Sequence, residues 1–80
     1  MVTPEQVKSY IEQGLDCESV RVDGDGRHFE AVIVSAEFRG KNKVQQHQLV
    51  YRALGDRMRE EVHALSMQTF APEDWAKRQA

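Results

Sequence analysis

Eighty residues, 40% of them hydrophobic and 30% charged, make one small soluble domain near the lower size limit for folding without a disulfide, a metal or a partner; a large self-contained enzyme, a disordered chain and a membrane-embedded one are excluded. Eleven Lys and Arg against thirteen Asp and Glu leave a formal charge of -2, so no global positive field would hold a polyanion and any nucleic-acid binding needs a local patch. Cys17 is the only cysteine, which excludes an internal disulfide and a CxxC zinc site, and Met1-Val2-Thr3-Pro4 has no basic-then-apolar leader, so a reducing, cytoplasmic location is expected.

No linker or internal repeat divides residues 1–80, which read as a single domain. Thr3 is placed to cap a first helix, with Pro4 at its first position and Gln6 three residues past the cap. Val7, Tyr10, Ile11 and Leu15 recur at helical spacing, and Gly14 is the expected stop. Ser19 to Asp23 alternates apolar and polar; after the turn Gly24-Asp25-Gly26-Arg27, the run His28 to Ser35 is rich in Phe, Val and Ile. This predicts a hairpin. Phe29, Ala31 and Ile33 point one way and Val32 and Val34 the other, so both faces are expected to be covered and the strand to be central.

Glu37 to Asn42 reads as a connector, followed by a helix with Val44, His47, Val50, Tyr51 and Leu54 on one face, broken at Gly55-Asp56. A short helical piece with Met58 inward leads to Val62–Phe70, which alternates as a third strand. Pro72, Glu73 and Asp74 then open a last helix carrying Trp75. The expected order is α-β-β-α-α-β-α. This is an α+β domain: a three-stranded mixed sheet with helices packed on one face.

The residues build no conventional catalytic site. Cys17 has no orienting group, the serines lack a nucleophile elbow, and Gly24-Asp25-Gly26 lacks the spacing that cradles phosphate. With too little chain to enclose a substrate, no enzyme is expected. Asp16 and Glu18 flank Cys17 and would raise its pKa, so it reads as a bystander. His47 shares a helix face with apolar residues and reads as packed and hydrogen-bonded. Arg39, Lys41, Lys43, Arg52, Arg57 and Arg59 are the candidates for a local basic face.

Gly26-Arg27-His28-Phe29, Val32 to Ser35 with Phe38-Arg39-Gly40, Val44 to Tyr51, Val62-His63-Ala64-Leu65 and Pro72 to Ala76 together resemble the BolA family, in particular its short bacterial IbaG-like (YrbA-like) branch. Two positions depart from the family pattern: Ala71 stands where a capping Thr or Ser is usual, and Gln46 where Arg commonly precedes the helix histidine. The resemblance implies a fold similar to class II KH domains and a heterodimer with a monothiol, CGFS-type glutaredoxin. A [2Fe-2S] cluster is then shared with the glutaredoxin cysteine and glutathione, and none is expected in the isolated apo protein. The histidine ligand at the start of the last strand matches His63; the second, from the hairpin loop, is His28 or a carboxylate such as Asp25.

Of the three histidines and one cysteine, Cys17 and His47 are read as bystander and packed residues, which leaves too few ligands for a closed cluster and enough for half of a shared one, because imidazole can replace thiolate on one iron. The rival expectation is a KH-like DNA-binding regulator of stress or morphology genes. Gly40-Lys41-Asn42-Lys43 has lysine where the GxxG clamp has its second glycine.

Overall fold

Thr3 lies extended, and its hydroxyl accepts from the Gln6 N–H at 3.2 Å while the Gln6 side-chain oxygen accepts from the Thr3 N–H at 2.9 Å. This reciprocal cap starts α1 (Pro4–Gly14), which buries Val7 and Ile11. The computed structural model describes residues 2–25, 27–57 and 64–79. The helix ends at the expected glycine, but not by a left-handed cap: Leu15 beyond it is extended and donates its N–H to the Ile11 carbonyl at 2.9 Å.

The requirement for glycine at position 14 comes from packing. A Cβ there would lie 2.6 Å from the Cα of Ala53, inside any permitted contact, so the backbones of two helices touch at this point. Gly14→Ala is therefore expected to destabilise the fold by about 1–3 kcal/mol through overpacking, with a fall in melting temperature of about 4–8 °C per kcal/mol for a domain of this size. Thermal denaturation followed by circular dichroism checks it; an unchanged melting temperature would mean that the helices part at no cost.

Strand β1 (Ser19–Gly24) pairs antiparallel with β2 (Phe29–Val34), setting Val20 opposite Ile33 and Val22 opposite Ala31. Between the strands, one Asp25 carboxylate oxygen accepts from the N–H groups of Arg27 and His28, both at 2.9 Å, a side-chain turn of the kind aspartate favours. Strand β3 (Leu65–Phe70) runs parallel to β2, giving the order β1-β2-β3 with β2 central. Phe29, Ala31 and Ile33 are buried. On the opposite face Val34 is buried, Val32 half-buried and Glu30 exposed, so coverage of both faces holds only at one end of the strand.

The connector contains more structure than its sequence suggests. Ser35 donates to the Asp16 carbonyl at 2.7 Å, accepts from the Glu37 N–H at 3.1 Å, and starts a short 3-10 turn over Ala36–Phe38. That turn drives Phe38 into the core, fully buried. Gly40 follows with φ +78, and Asn42 with Gln45 forms a second reciprocal cap. Helix α2 (Lys43–Leu54) then runs to Gly55, whose φ of +58 ends it where the sequence predicts a break.

The buried stripe of α2 follows the expected face at Val50 and Leu54 but not at Val44 and Tyr51. Gln46, Val50 and Leu54 are buried, whereas Val44 is 67% exposed and Tyr51 42% exposed. A polar residue displaces two apolar ones because the partners of Gln46 lie in the core. Helices α1 and α2 pack together; with Phe29, Ile33 and Leu65 beneath, their buried residues make one cluster on one face of the sheet. Helix α3 (Pro72–Gln79) starts without a side-chain cap at Ala71, whose carbonyl accepts from the N–H groups of Asp74 and Trp75. Trp75 packs on Phe70 with ring centroids 5.2 Å apart. The expected helical piece around Met58 and the Val62-His63 start of the third strand lie outside the described residues, where β3 begins at Leu65.

Candidate functional site

The hairpin end of the sheet carries His28, exposed immediately before β2. With Asp23, Gly24, Asp25 and Glu30 it lines an open groove of about 320 Å³. The N–H groups of Arg27 and His28 hold the Asp25 carboxyl below the usual carboxylate range, because hydrogen bonds to the charged form favour it. Phe29 is in register with Leu65, so the backbone that positions His28 adjoins the entry of β3. His63 lies outside the described residues, two positions before Leu65 in sequence.

Cys17 is half-buried, and burial pushes its thiol up to about 11, helped by the carboxylates of Glu12, Glu37 and Asp16. A reactive thiolate is disfavoured there, as the sequence predicts. Two of the three carboxylates, Glu12 and Glu37, come from the fold and not from flanking sequence.

At the β3 edge of the sheet, Lys43, His47, Met67, Thr69, Phe70 and Arg78 line a groove of about 350 Å³ between α2, β3 and α3. His47 is half-buried, and burial together with the Lys43 charge lowers its pKa. The Lys43 ammonium donates to the Thr69 carbonyl and lies 4.7 Å from the centroid of the Phe70 ring, with the Arg78 guanidinium 5.3 Å from the same centroid.

The six candidate basic residues are held in different ways. Arg39 donates twice to Glu73, both at 2.7 Å. Arg57 donates to Gln13 at 2.7 Å and lies over the Tyr10 ring. Lys41 and Arg52 are exposed, Lys43 faces the β3 groove, and Arg59 lies outside the described residues. The fold thus does not gather the described five into one unpaired face.

The Arg39 guanidinium holds the Glu73 carboxyl down to about 2, from an ordinary value of 4.5. Since the folded value is depressed, the pair contributes fully above the ordinary range and is lost as pH falls toward 2. Arg39→Gln is expected to return Glu73 to the ordinary carboxylate range, read from the pH dependence of its side-chain carbonyl shift by NMR. An unmoved midpoint would assign the shift to the start of α3 instead.

Sequence reasoning missed a buried polar node. The Gln46 amide donates to the carbonyls of Phe38 at 3.2 Å and Lys41 at 2.9 Å and accepts from the Thr69 hydroxyl at 2.6 Å. Gln46 therefore joins the connector, α2 and β3, and its departure from the family pattern lies in the interior. Arg78 and Phe70 of the groove were missed as well; the only signals were a basic last turn in α3 and an aromatic ending the strand.

A two-helix layer on a mixed three-stranded sheet, entered through a short hairpin and closed by a C-terminal helix, defines a small α+β domain. Residues 6–74 match the family model described as BolA-like protein, and the chain belongs to the BolA family. It is 32% identical over 73 residues to the acid stress protein IbaG of Escherichia coli K12, covering 90% of this chain and 87% of that one. It is 44% identical over 52 residues to the DNA-binding transcriptional regulator BolA of Haemophilus influenzae, covering 65% of this chain but only 50% of that protein; the match thus spans half the length of that relative. Among solved structures, a BolA homologue from Coxiella burnetii superposes with a TM-score of 0.80 at 43% identity, over 95% of this chain and 99% of that one. The named relatives are regulators and stress proteins. Among the described residues, no helix is long and apolar enough to cross a membrane.

Proposed function

We propose that this chain is a non-enzymatic accessory protein that pairs with a monothiol glutaredoxin and shares a [2Fe-2S] cluster with it, in cytoplasmic iron-sulfur trafficking or iron-linked regulation. The supporting observation is the pairing of Phe29 with Leu65. It sets the residue that follows exposed His28 against the residue two positions after His63, a tether of at most about 7 Å of chain. Two neutral imidazoles suit one iron, leaving the thiolates of glutaredoxin and glutathione for the other. His28 suits the role of ligand, since its backbone N–H is fixed by Asp25 and its side chain is exposed. When bound, the cluster supplies one-electron redox capacity and transferable iron and sulfide; the chain's own part is to present nitrogen lone pairs from an element end.

The experiment mixes the apo protein with cluster-loaded glutaredoxin and records visible absorption and circular dichroism. His63→Ala is expected to abolish the heterodimer spectrum and His28→Ala to alter it, with Asp25→Ala testing the carboxylate alternative. Because protonated imidazole offers no lone pair, the parent spectrum should fade as the solution is acidified. A His63→Ala spectrum equal to the parent's would remove His63 as a ligand.

The name of the Haemophilus relative favours a second reading, a DNA-binding regulator. It requires affinity that falls steeply with salt and weakens in Lys41→Glu. Salt-insensitive binding, or none, at physiological ionic strength removes it.

A further inference from the structure

Strand β3 is an edge strand: β2 is its neighbour on one side, and among the described residues no strand lies on the other. Its backbone shows which groups are left over. The Phe70 carbonyl accepts from the Ser35 N–H at 3.0 Å, toward the β2 side, whereas the Thr69 carbonyl accepts from the Lys43 ammonium. Since successive residues alternate in direction along a strand, Met67 and Thr69 share the open edge. A charged side chain over such an edge is a common guard against unwanted pairing. Here the guard is a flexible lysine covering one carbonyl.

Beside this edge lies the groove of about 350 Å³, whose lining includes Lys43, His47 and Arg78 and no carboxylate, in a chain of net charge -2. We propose that this groove takes an extended acidic segment of a partner protein, added as a strand along Met67–Thr69 with its carboxylates on Lys43 and Arg78. Strand addition uses main-chain hydrogen bonds for affinity and side-chain pockets for selectivity; the edge at Met67 and Thr69 offers the first once Lys43 swings from the Thr69 carbonyl to a carboxylate of the segment, and the groove offers the second. Burial and Lys43 favour the neutral form of His47, so Lys43 and Arg78 supply the positive charge.

Two other occupants fit less well. A single-stranded nucleic acid would seek an aromatic face for a base, but Lys43 and Arg78 already lie over the Phe70 ring, and the alternating donors and acceptors of the edge match a peptide backbone better than a phosphodiester. A second copy of the chain paired edge to edge would bring like charges from Lys43 and Arg78 of both copies together.

The site lies toward the C-terminal end of β3, away from the His28 end, and stands independently of the glutaredoxin proposal. The probe is a capped peptide of alternating valine and glutamate, titrated into the full chain by NMR and by fluorescence anisotropy. Expected are shifts at the Met67 and Thr69 amides, with affinity at least tenfold weaker in Lys43→Glu and in Arg78→Glu. The glutamine-substituted peptide should bind more weakly by a similar factor, which tests the charge without altering the protein; Trp75 emission reports that each variant remains folded. The proposal is overturned if the acidic peptide leaves those amides unmoved at millimolar concentration, if a valine-lysine peptide binds equally well, or if oligothymidylate moves them at lower concentration.

Discussion

Replacing Phe38 by alanine is expected to remove about 3–5 kcal/mol of stability, the range for truncating a fully buried aromatic. A domain of this length has a total of roughly 4–12 kcal/mol at about 0.05–0.15 kcal/mol per residue, so the variant should lose a large share of its stability. The residue lies between two strands and a helix in sequence, yet its ring is fully enclosed with Ile11, Ile33 and Val50 in the same cluster. Its loss would also release the 3-10 turn whose Phe38 carbonyl accepts from Gln46. Urea denaturation of the parent, Phe38→Leu and Phe38→Ala separates these effects. Leucine should cost much less than alanine, since it refills most of the cavity. If alanine costs under about 1 kcal/mol, the range of ordinary surface changes and mild swaps, the connector does not anchor the core.

The second large effect is expected at Gln46. Leucine there preserves bulk but strips the partner from the Thr69 hydroxyl and from the Lys41 carbonyl, while the Phe38 carbonyl keeps the Lys41 N–H at 3.1 Å. Each buried group left without a partner costs about 1–3 kcal/mol, so Gln46→Leu should destabilise by about 2–4 kcal/mol, allowing for partial access of Lys41 to water. Thr69→Val alone should cost less, because Gln46 keeps its two carbonyl partners. In the double variant the Thr69 hydroxyl is no longer stranded, so its cost should fall below the sum of the singles; residues sharing one network commonly couple by about 0.5–3 kcal/mol. Simple additivity in equilibrium unfolding would show that the 2.6 Å contact between Thr69 and Gln46 contributes nothing of its own.

These two residues mark where sequence reading stops. Caps and turns were legible because their chemistry is local: Thr3 with Gln6, the Asp25 turn and Gly55 each act over a few residues of chain, and each stands where it was expected. The strands of the hairpin were legible from their composition. The face of α2 was misread in part, right at Val50 and Leu54 and wrong at Val44 and Tyr51, because hydrophobicity is a property of the residue while burial is a property of its surroundings; Val44 stays 67% exposed, and Gln46 makes three hydrogen bonds. The spread of the basic residues was hidden for the same reason. Arg39 meets Glu73 across 34 positions and Arg57 meets Gln13 across 44, distances over which spacing carries no information.

For the candidate site, the sequence supplied the candidate ligands and the resemblance supplied the expectation of a pairing with a second protein. The parallel register of β2 and β3 added the proximity of His28 to the entry of β3. By itself the sequence determined a small α+β domain of BolA type and its helix starts and stops, since each follows from local propensity or composition; for Cys17 it supplied the direction of the shift through Asp16, and the fold added burial, Glu12 and Glu37. Only the tertiary structure decided that Gly14 is a helix contact, that Gln46 is a core residue, and that Lys43 guards an open strand edge. Such roles depend on which distant atoms come within a few ångströms, and that is fixed by packing the whole chain at once.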